Sequence, residues 1–241
     1  YGAEYLDRVD NVLALDKRID GGSRNFLLTV DAAKYIANAM AYDDIIRVAD
    51  AKTRAGRRER IATEMRAGEA QVMQVTEFLH PRAEEIVSML PAKMGARWAA
   101  NPRRMALIDR LFNRGRRMRT DRFSSFVALY VLGGLKGWRR RTLRHAQEMA
   151  HIESWLSRAM DEAGRDQELA IEILRCQRLV KGYSDTHARG QWKFARVMEG
   201  IELVAGREDA ADWARRLRES ALLDEDGKAL NGALKTVRSF V

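Results

Sequence analysis

The fold class is decided by residues 167–204, which read QELAIEILRCQRLVKGYSDTHARGQWKFARVMEGIELV. Apolar side chains recur every three or four residues on both sides of a polar centre, as they do on one face of an α-helix. They are Leu169, Ile173, Cys176 and Val180 before the centre, and Phe194, Val197, Met198, Ile201 and Val204 after it. The pattern predicts two helices that meet at the polar centre.

The polar centre, Lys181–Gly190, admits two interpretations. In the structural one the chain breaks at Gly182, Ser184 or Asp185 caps the next helix, and His187 joins its apolar stripe, while Gly190 lets another backbone approach. In the functional one its polar side chains contact a ligand or a partner subunit, where a half-buried histidine suits proton transfer. The candidates for such contacts are Lys181, Tyr183, Asp185, His187 and Arg189.

Helical spacing continues outward along the chain. The predicted helices are residues 1–17, a second from Thr29 or Asp31 to about Arg54, one that Asp166 or Gln167 opens, about 208–222 and about 228–240. Residues 121–160 are predicted to form one very long helix, or two that abut at Gly133-Gly134. No convincing alternating strand pattern is found. We therefore expect an all-α, multi-helix bundle, with residues 1–241 as a single helical domain from the C-terminal part of a longer protein.

Asp44 falls within the main apolar stripe of the second predicted helix. A carboxylate in that position is costly unless it is paired, so we expect either a structural salt bridge, with Arg47 as the partner, or part of a polar site. The second interpretation adds candidate contact residues: Asp44, Arg47, Asp50 and Lys52.

Composition limits the kinds of partner and setting. The net charge of +9 favours an anionic partner, which could be nucleic acid, an acidic protein or a phosphate-bearing small molecule. One cysteine, Cys176, excludes an internal disulfide and a cysteine-ligated iron–sulfur cluster, and a cytoplasmic location is the default expectation. The longest apolar run is about ten residues, short of the roughly 20 needed to cross a membrane, so no membrane contact is expected.

The sequence offers little for catalysis or metal binding. Two Glu-x-x-His pairs, Glu77/His80 and Glu148/His151, have the spacing of helical metal ligands. However, Pro81 disfavours a helix at His80, and His151 is predicted to point away from the apolar face toward solvent. Cys176 lies in an apolar stripe, which predicts a buried thiol. We therefore predict no metal site and no catalytic residue.

Residues 103–122 contain eight arginines, with Trp98 and Trp138 nearby in the sequence. Arginines beside aromatic rings could bind nucleic acid, which gives an alternative function for the chain: a basic nucleic-acid-binding helical domain. Acidic residues are interspersed in most other basic stretches and make this the less favoured interpretation.

Four stretches carry a resemblance to a known family. They are Leu179–Gly190 (LVKGYSDTHARG), Tyr42–Arg54 (YDDIIRVADAKTR), Val75–Phe78 (VTEF) and Gly137–Leu143 (GWRRRTL). Taken in their order along the chain, they resemble the C-terminal helical region of the indolepyruvate ferredoxin oxidoreductase family, which follows a Rossmann-like domain. The similarity covers most of the chain.

The resemblance implies a parent complex that oxidises aryl 2-oxoacids to acyl-CoA with thiamine diphosphate, CoA, iron–sulfur clusters and ferredoxin. This chain lacks a cluster-binding cysteine set, the motif for magnesium and thiamine diphosphate, and the βα pattern of the Rossmann-like domain. The resemblance therefore implies a helical accessory or scaffold domain, with no cofactor of its own. Its implied partners are the thiamine-binding subunit or domain of the complex and ferredoxin.

Overall fold

The chain is all-α. A computed structural model describes residues 1–68, 71, 73–79, 81–113 and 115–240, and at positions 79 and 116 it describes only the backbone. Its α-helices in this described part are α1 Gly2–Arg18, α2 Leu27–Met40, α3 Ile45–Thr53, α4 Gly56–Glu64, α5 Ala83–Ser88, α6 Ala92–Ala99, α7 Pro102–Phe112, α8 Phe123–Gly134, α9 Leu143–Ala163, α10 Gln167–Cys176, α11 Ser184–Val204, α12 Ala210–Leu223 and α13 Lys228–Phe240. Three 3-10 helices join them: Gly21–Arg24, Leu135–Arg141 and Gln177–Leu179.

Two short strands were not foreseen. Strands β1 (Thr76–Leu79) and β2 (Arg116–Arg119) pair antiparallel, with Thr76 opposite Arg119. The sequence has no alternating pattern that predicts them. Each strand has only four residues, and exposed Phe78 and Arg117 lie opposite each other, so the apolar-polar alternation of a half-buried strand is absent.

The chain divides into two compact units, which are described separately. Unit 1 consists of Tyr1–Tyr42 and Glu148–Val241, and unit 2 of Asp43–Gln147. The single-domain prediction stays a prediction. Within the described residues, each helix is too short or too polar to cross a membrane.

Unit 1 holds the larger core, built from α1, α2, α10–α13 and the part of α9 from Glu148 onward. Trp155 is 2% exposed, and its indole N–H donates to the Ile173 carbonyl oxygen at 2.9 Å. Two buried carboxylates connect the early helices to α10. Asp16 accepts hydrogen bonds from Thr29 and from the Gln167 side chain, and Asp31 accepts one from Arg175 at 2.7 Å.

Unit 2 has a small core of Ala83, Val87, Ile108 and Leu143, which joins α5 and α7 to the start of α9. Elsewhere in the unit α8 packs on α3. Gly133 makes this possible, because a Cβ at that position would lie 2.9 Å from the backbone of Asp50.

Two of the predicted helices are broken. The helix expected from about residue 31 to Arg54 is two helices, because α2 ends at Met40 and Asp44 starts α3. The very long helix expected over 121–160 is also wrong as one element. It is α8 and α9 joined by a 3-10 helix. α8 ends at Gly134, as the alternative prediction had it, but the two α-helices do not abut, because Leu135–Arg141 lies between them.

Candidate functional site

The polar segment Lys181–Gly190 joins α10 to α11. Gly182 has a φ of +75°, a left-handed conformation that glycine adopts without strain, so the predicted break there is confirmed. The predicted cap is wrong. α11 begins at Ser184, which is itself left-handed with a φ of 54°, and Tyr183 before it makes no side-chain capping hydrogen bond. Asp185 instead lies in the first turn, where the helix dipole favours a carboxylate.

His187 is turned into the interior of unit 1. It is 7% exposed, and its Nε2 lies 3.0 Å from Oε1 of Glu148, which is 3% exposed. The two atoms are at ion-pair distance, but they lack the alignment of a hydrogen bond. His187 shares its buried face with Ile201, as the helical spacing predicted. Its ring is therefore part of the packing of α11.

Gly190 provides a close backbone approach. A Cβ at this position would lie 2.5 Å from the Leu179 carbonyl oxygen, which belongs to the 3-10 helix before the junction. The predicted close approach is confirmed. The structural interpretation of the segment thus rests on both Gly182 and Gly190.

The remaining residues of the segment lie nearer the surface. Lys181 and Arg189 are exposed and line a shallow cavity of about 260 Å³. Arg189 is 3.4 Å from Glu225, whereas His187 faces Glu148, so the two do not form one cluster. Asp185 and Tyr183 are half-buried. The contact roles of these residues stay predictions.

Lys193 is a buried polar residue of the same helix that was not among the candidates. Its ammonium group donates to the carbonyl oxygens of Ala221, at 2.8 Å, and Asp224, at the C-terminal end of α12. Such carbonyls lack helical partners, and the helix dipole favours a cation there. Lys193 lies four residues before buried Val197, so helical spacing could have identified it as buried.

Asp44 has a structural role at the start of α3. Its Oδ1 accepts from the Arg47 amide N–H at 2.7 Å, which makes it the helix N-cap, and its Oδ2 accepts from Nε of Arg139 at 2.6 Å. A paired carboxylate was predicted, but the partner was wrong. The Arg47 side chain pairs instead with Asp43, at 3.2 Å.

The other candidate contact residues on α3, Asp50 and Lys52, also form salt bridges within unit 2. Asp50 pairs with Arg54 at 2.7 Å, and that hydrogen bond lowers the Asp50 pKa. Lys52 and Arg57 both donate to Glu77 of β1. Burial acts to raise the Glu77 pKa, but these two hydrogen bonds outweigh it, and the pKa is lowered. The carboxylate is therefore ionised and held by two cations.

Among the described residues, no three or more His, Cys, Asp or Glu side chains are grouped so that they could hold a metal ion. Glu148 faces His187, whereas His151 contacts Gln177 at 2.9 Å and packs edge-on against Phe194. His151 is half-buried, so the prediction that it points to solvent is wrong: α11 packs against this side of α9. His80 lies outside the described residues.

The described arginines of residues 103–122 lie in α7 and around β2, and Arg114 is outside the described residues. Arg104 lies over the Trp98 ring at 5.3 Å, Arg117 lies over Phe78 at 5.5 Å, and Arg119 pairs with Asp121. Several of these side chains thus have partners within unit 2, and they do not form a single stripe along one helix.

A family model matches residues 1–200 of the chain. The chain belongs to DUF6537, a family of unknown function. The matched region of this DUF6537 chain includes Asp44, Lys52 and the whole of Lys181–Gly190. No curated protein and no solved structure matches it.

Cys176 is expected to be unreactive in the folded DUF6537 chain. It is fully buried, and burial raises the thiol pKa to about 12, so the nucleophilic thiolate is scarce near neutral pH. At about pH 8, Ellman's reagent should leave the folded chain unlabelled for an hour and react fully after unfolding in urea. Because the chain has one cysteine, the absorbance change reports this site alone. Rapid labelling of the folded chain would contradict the packing around α10.

Proposed function

We propose that the chain is a helical accessory domain of an indolepyruvate ferredoxin oxidoreductase subunit. It supports assembly with the thiamine-binding subunit in the cytoplasm, and the oxidation itself takes place elsewhere in the complex. The four sequence stretches that resemble the family support the setting. Thiamine diphosphate, CoA and iron–sulfur clusters would then belong to the parent complex, and ferredoxin would be its electron-transfer partner.

The observation that carries the accessory role is the state of the reactive groups. Cys176 is fully buried, His187 is packed against Glu148, and Asp44 caps a helix. Two exposed polar groups of the segment Lys181–Gly190 remain, Lys181 and Arg189. They lie on a helix junction that is fixed by close backbone contact at Gly190. Exposed cations on a fixed junction suit recognition of an acidic protein surface.

Charge reversal at this surface is expected to weaken subunit association. In the full-length protein, the double variant Lys181→Glu, Arg189→Glu should reduce co-purification of the thiamine-binding subunit by about tenfold or more, because like charges repel across the contact. The matched control is Lys17→Glu, Arg18→Glu, which reverses two exposed cations of α1 in the same unit.

Size-exclusion chromatography with both subunits gives the measurement. Equal co-purification by the two double variants would place the contact elsewhere. If a protein without residues 1–241 still assembles normally, the accessory role itself is wrong.

A further inference from the structure

Unit 2 contains a cavity of about 530 Å³ at the meeting point of three elements. One wall is the end of α3 with α4, the second is the chain before β1, and the third is the turn from β2 into α8. Cavities that hold small molecules in proteins measure roughly 300–1,000 Å³, so this one is large enough for a ligand of nucleotide size.

The cavity has an excess of positive charge. Among the described residues, the lining has one carboxylate, that of Asp121, and five cations: Lys52, Arg54, Arg57, Arg58 and Arg122. Three of the cations already have a carboxylate partner, since Lys52 and Arg57 share Glu77 and Arg54 pairs with Asp50. Asp121 is paired with Arg119 at 2.5 Å.

Arg58 and Arg122 are the cations left over. Within the described residues, neither guanidinium group forms a hydrogen bond or a salt bridge, and both residues are exposed. A guanidinium group presents a planar fork of donors that fits phosphate oxygens. Two such forks at one cavity suit a group that carries more than one negative charge.

Apolar side chains line the cavity beside these cations. They belong to Ile61, Met73 and Val75 and to the first turn of α8. In that turn Phe123 is 84% exposed and Phe126 is 38% exposed. Aromatic rings left open beside a charged cavity can cover a planar group of a ligand.

We propose that this cavity binds a small organic phosphate that carries a planar, apolar group. Arg58 and Arg122 contact the phosphates, while Phe123 and Phe126 cover the planar group. The salt bridges to Glu77 fix Lys52 and Arg57 in the wall, so the site is formed before the ligand arrives. This binding site does not depend on the assembly role proposed above, which rests on residues of unit 1.

Calorimetric titrations with three probes, ATP, pyrophosphate and adenosine, test the phosphate contacts and the aromatic cover separately. Each probe is titrated into the chain at low salt. ATP should bind with a Kd on the order of 10–100 µM, pyrophosphate about tenfold more weakly, and adenosine with no measurable heat. The double variant Arg58→Ala, Arg122→Ala should weaken ATP binding by at least about tenfold, because both phosphate contacts are lost.

The matched control for charge is Arg103→Ala, Arg110→Ala, which removes two exposed arginines of α7 outside the cavity and should leave ATP binding unchanged. Phe123→Ala should weaken ATP binding but not pyrophosphate binding. Because these side chains are exposed, thermal melts of all variants should match the parent chain.

Three results would overturn the proposal. ATP could fail to bind, or the Arg58/Arg122 double variant could bind as well as the parent. A twelve-nucleotide DNA single strand could also bind far more tightly than ATP, with a steep loss of affinity as salt rises. That last result would indicate an extended nucleic-acid surface in place of a small-molecule site.

Discussion

Replacing Glu172 with alanine is expected to lower the free energy of unfolding by about 3–5 kcal/mol. Glu172 is 1% exposed, and its carboxylate joins α10 to α12. Oε2 accepts from Nε and Nη2 of Arg218, at 3.0 and 2.9 Å, and Oε1 accepts from Arg175 at 2.8 Å. Arg218 has only 11% of its side chain exposed, so without Glu172 a guanidinium group remains charged in the interior.

Urea denaturation of the parent chain and of each variant measures the free energy of unfolding. The control is Glu168→Ala on the same helix, where an exposed carboxylate pairs with Arg24 at 3.3 Å and the loss should stay below about 1 kcal/mol. Glu172→Gln keeps the acceptor oxygen but removes the charge, and should fall between the two. If Glu172→Ala costs no more than Glu168→Ala, water already solvates the arginines and the buried network is not a source of stability.

Gly190→Ala is expected to lower the free energy of unfolding by about 1–3 kcal/mol. The added methyl group would lie 2.5 Å from the Leu179 carbonyl oxygen, which is backbone and cannot rotate away. Either α11 or the preceding 3-10 helix must move. The better helix propensity of alanine offsets only part of this cost.

Gly232→Ala is the matched control. Gly232 lies inside α13, and a Cβ added there would have no atom within 4 Å, so alanine should raise the free energy of unfolding by about 0.5–1 kcal/mol. The two substitutions are chemically identical and should have effects of opposite sign in the same urea titration. A stabilising Gly190→Ala would mean that the junction yields easily and does not hold Lys181 and Arg189 in place.

Helical periodicity was sufficient to predict the fold class and several helix ends. Asp166, one of the two residues expected to open α10, is its N-cap, with its carboxylate accepting from the Leu169 N–H, and α1, α12 and α13 lie close to their predicted bounds. These elements have strong apolar stripes and clear stops. Their local sequence and their packing favour the same structure.

Tertiary contacts explain where the predicted elements differ from the structure. Residues 31–54 read as one helix because apolar spacing continues across Asp44, but that carboxylate caps α3 and pairs with Arg139, which is distant in sequence. In β1 and β2 three of the four strand pairs place an apolar residue opposite a charged one, so neither strand has an apolar face that the sequence could show. Glu172 carried a usable signal that was overlooked. It lies three residues after Leu169 and four before Cys176, which places a charge on a buried face.

The candidate site was only partly predictable for the same reason. Spacing identified His187 as an interior residue, but its neighbour Glu148 is on another helix. The unpaired arginines at the unit 2 cavity could not be recognised from their own sequence. Their significance depends on which other cations already pair with Glu77 and Asp50.

The division of the chain affects the order in which it can fold during synthesis. Unit 2 is one continuous segment placed between the two segments of unit 1. Gln167 and Arg175 leave the ribosome 151 and 144 residues after their partners Asp16 and Asp31. All of unit 2 is translated in the interval. α1 and α2 are therefore synthesised well before the later helices that cover their apolar faces. The nascent chain is thus most exposed to aggregation before α10 is made, and this is where a chaperone would have the greatest effect.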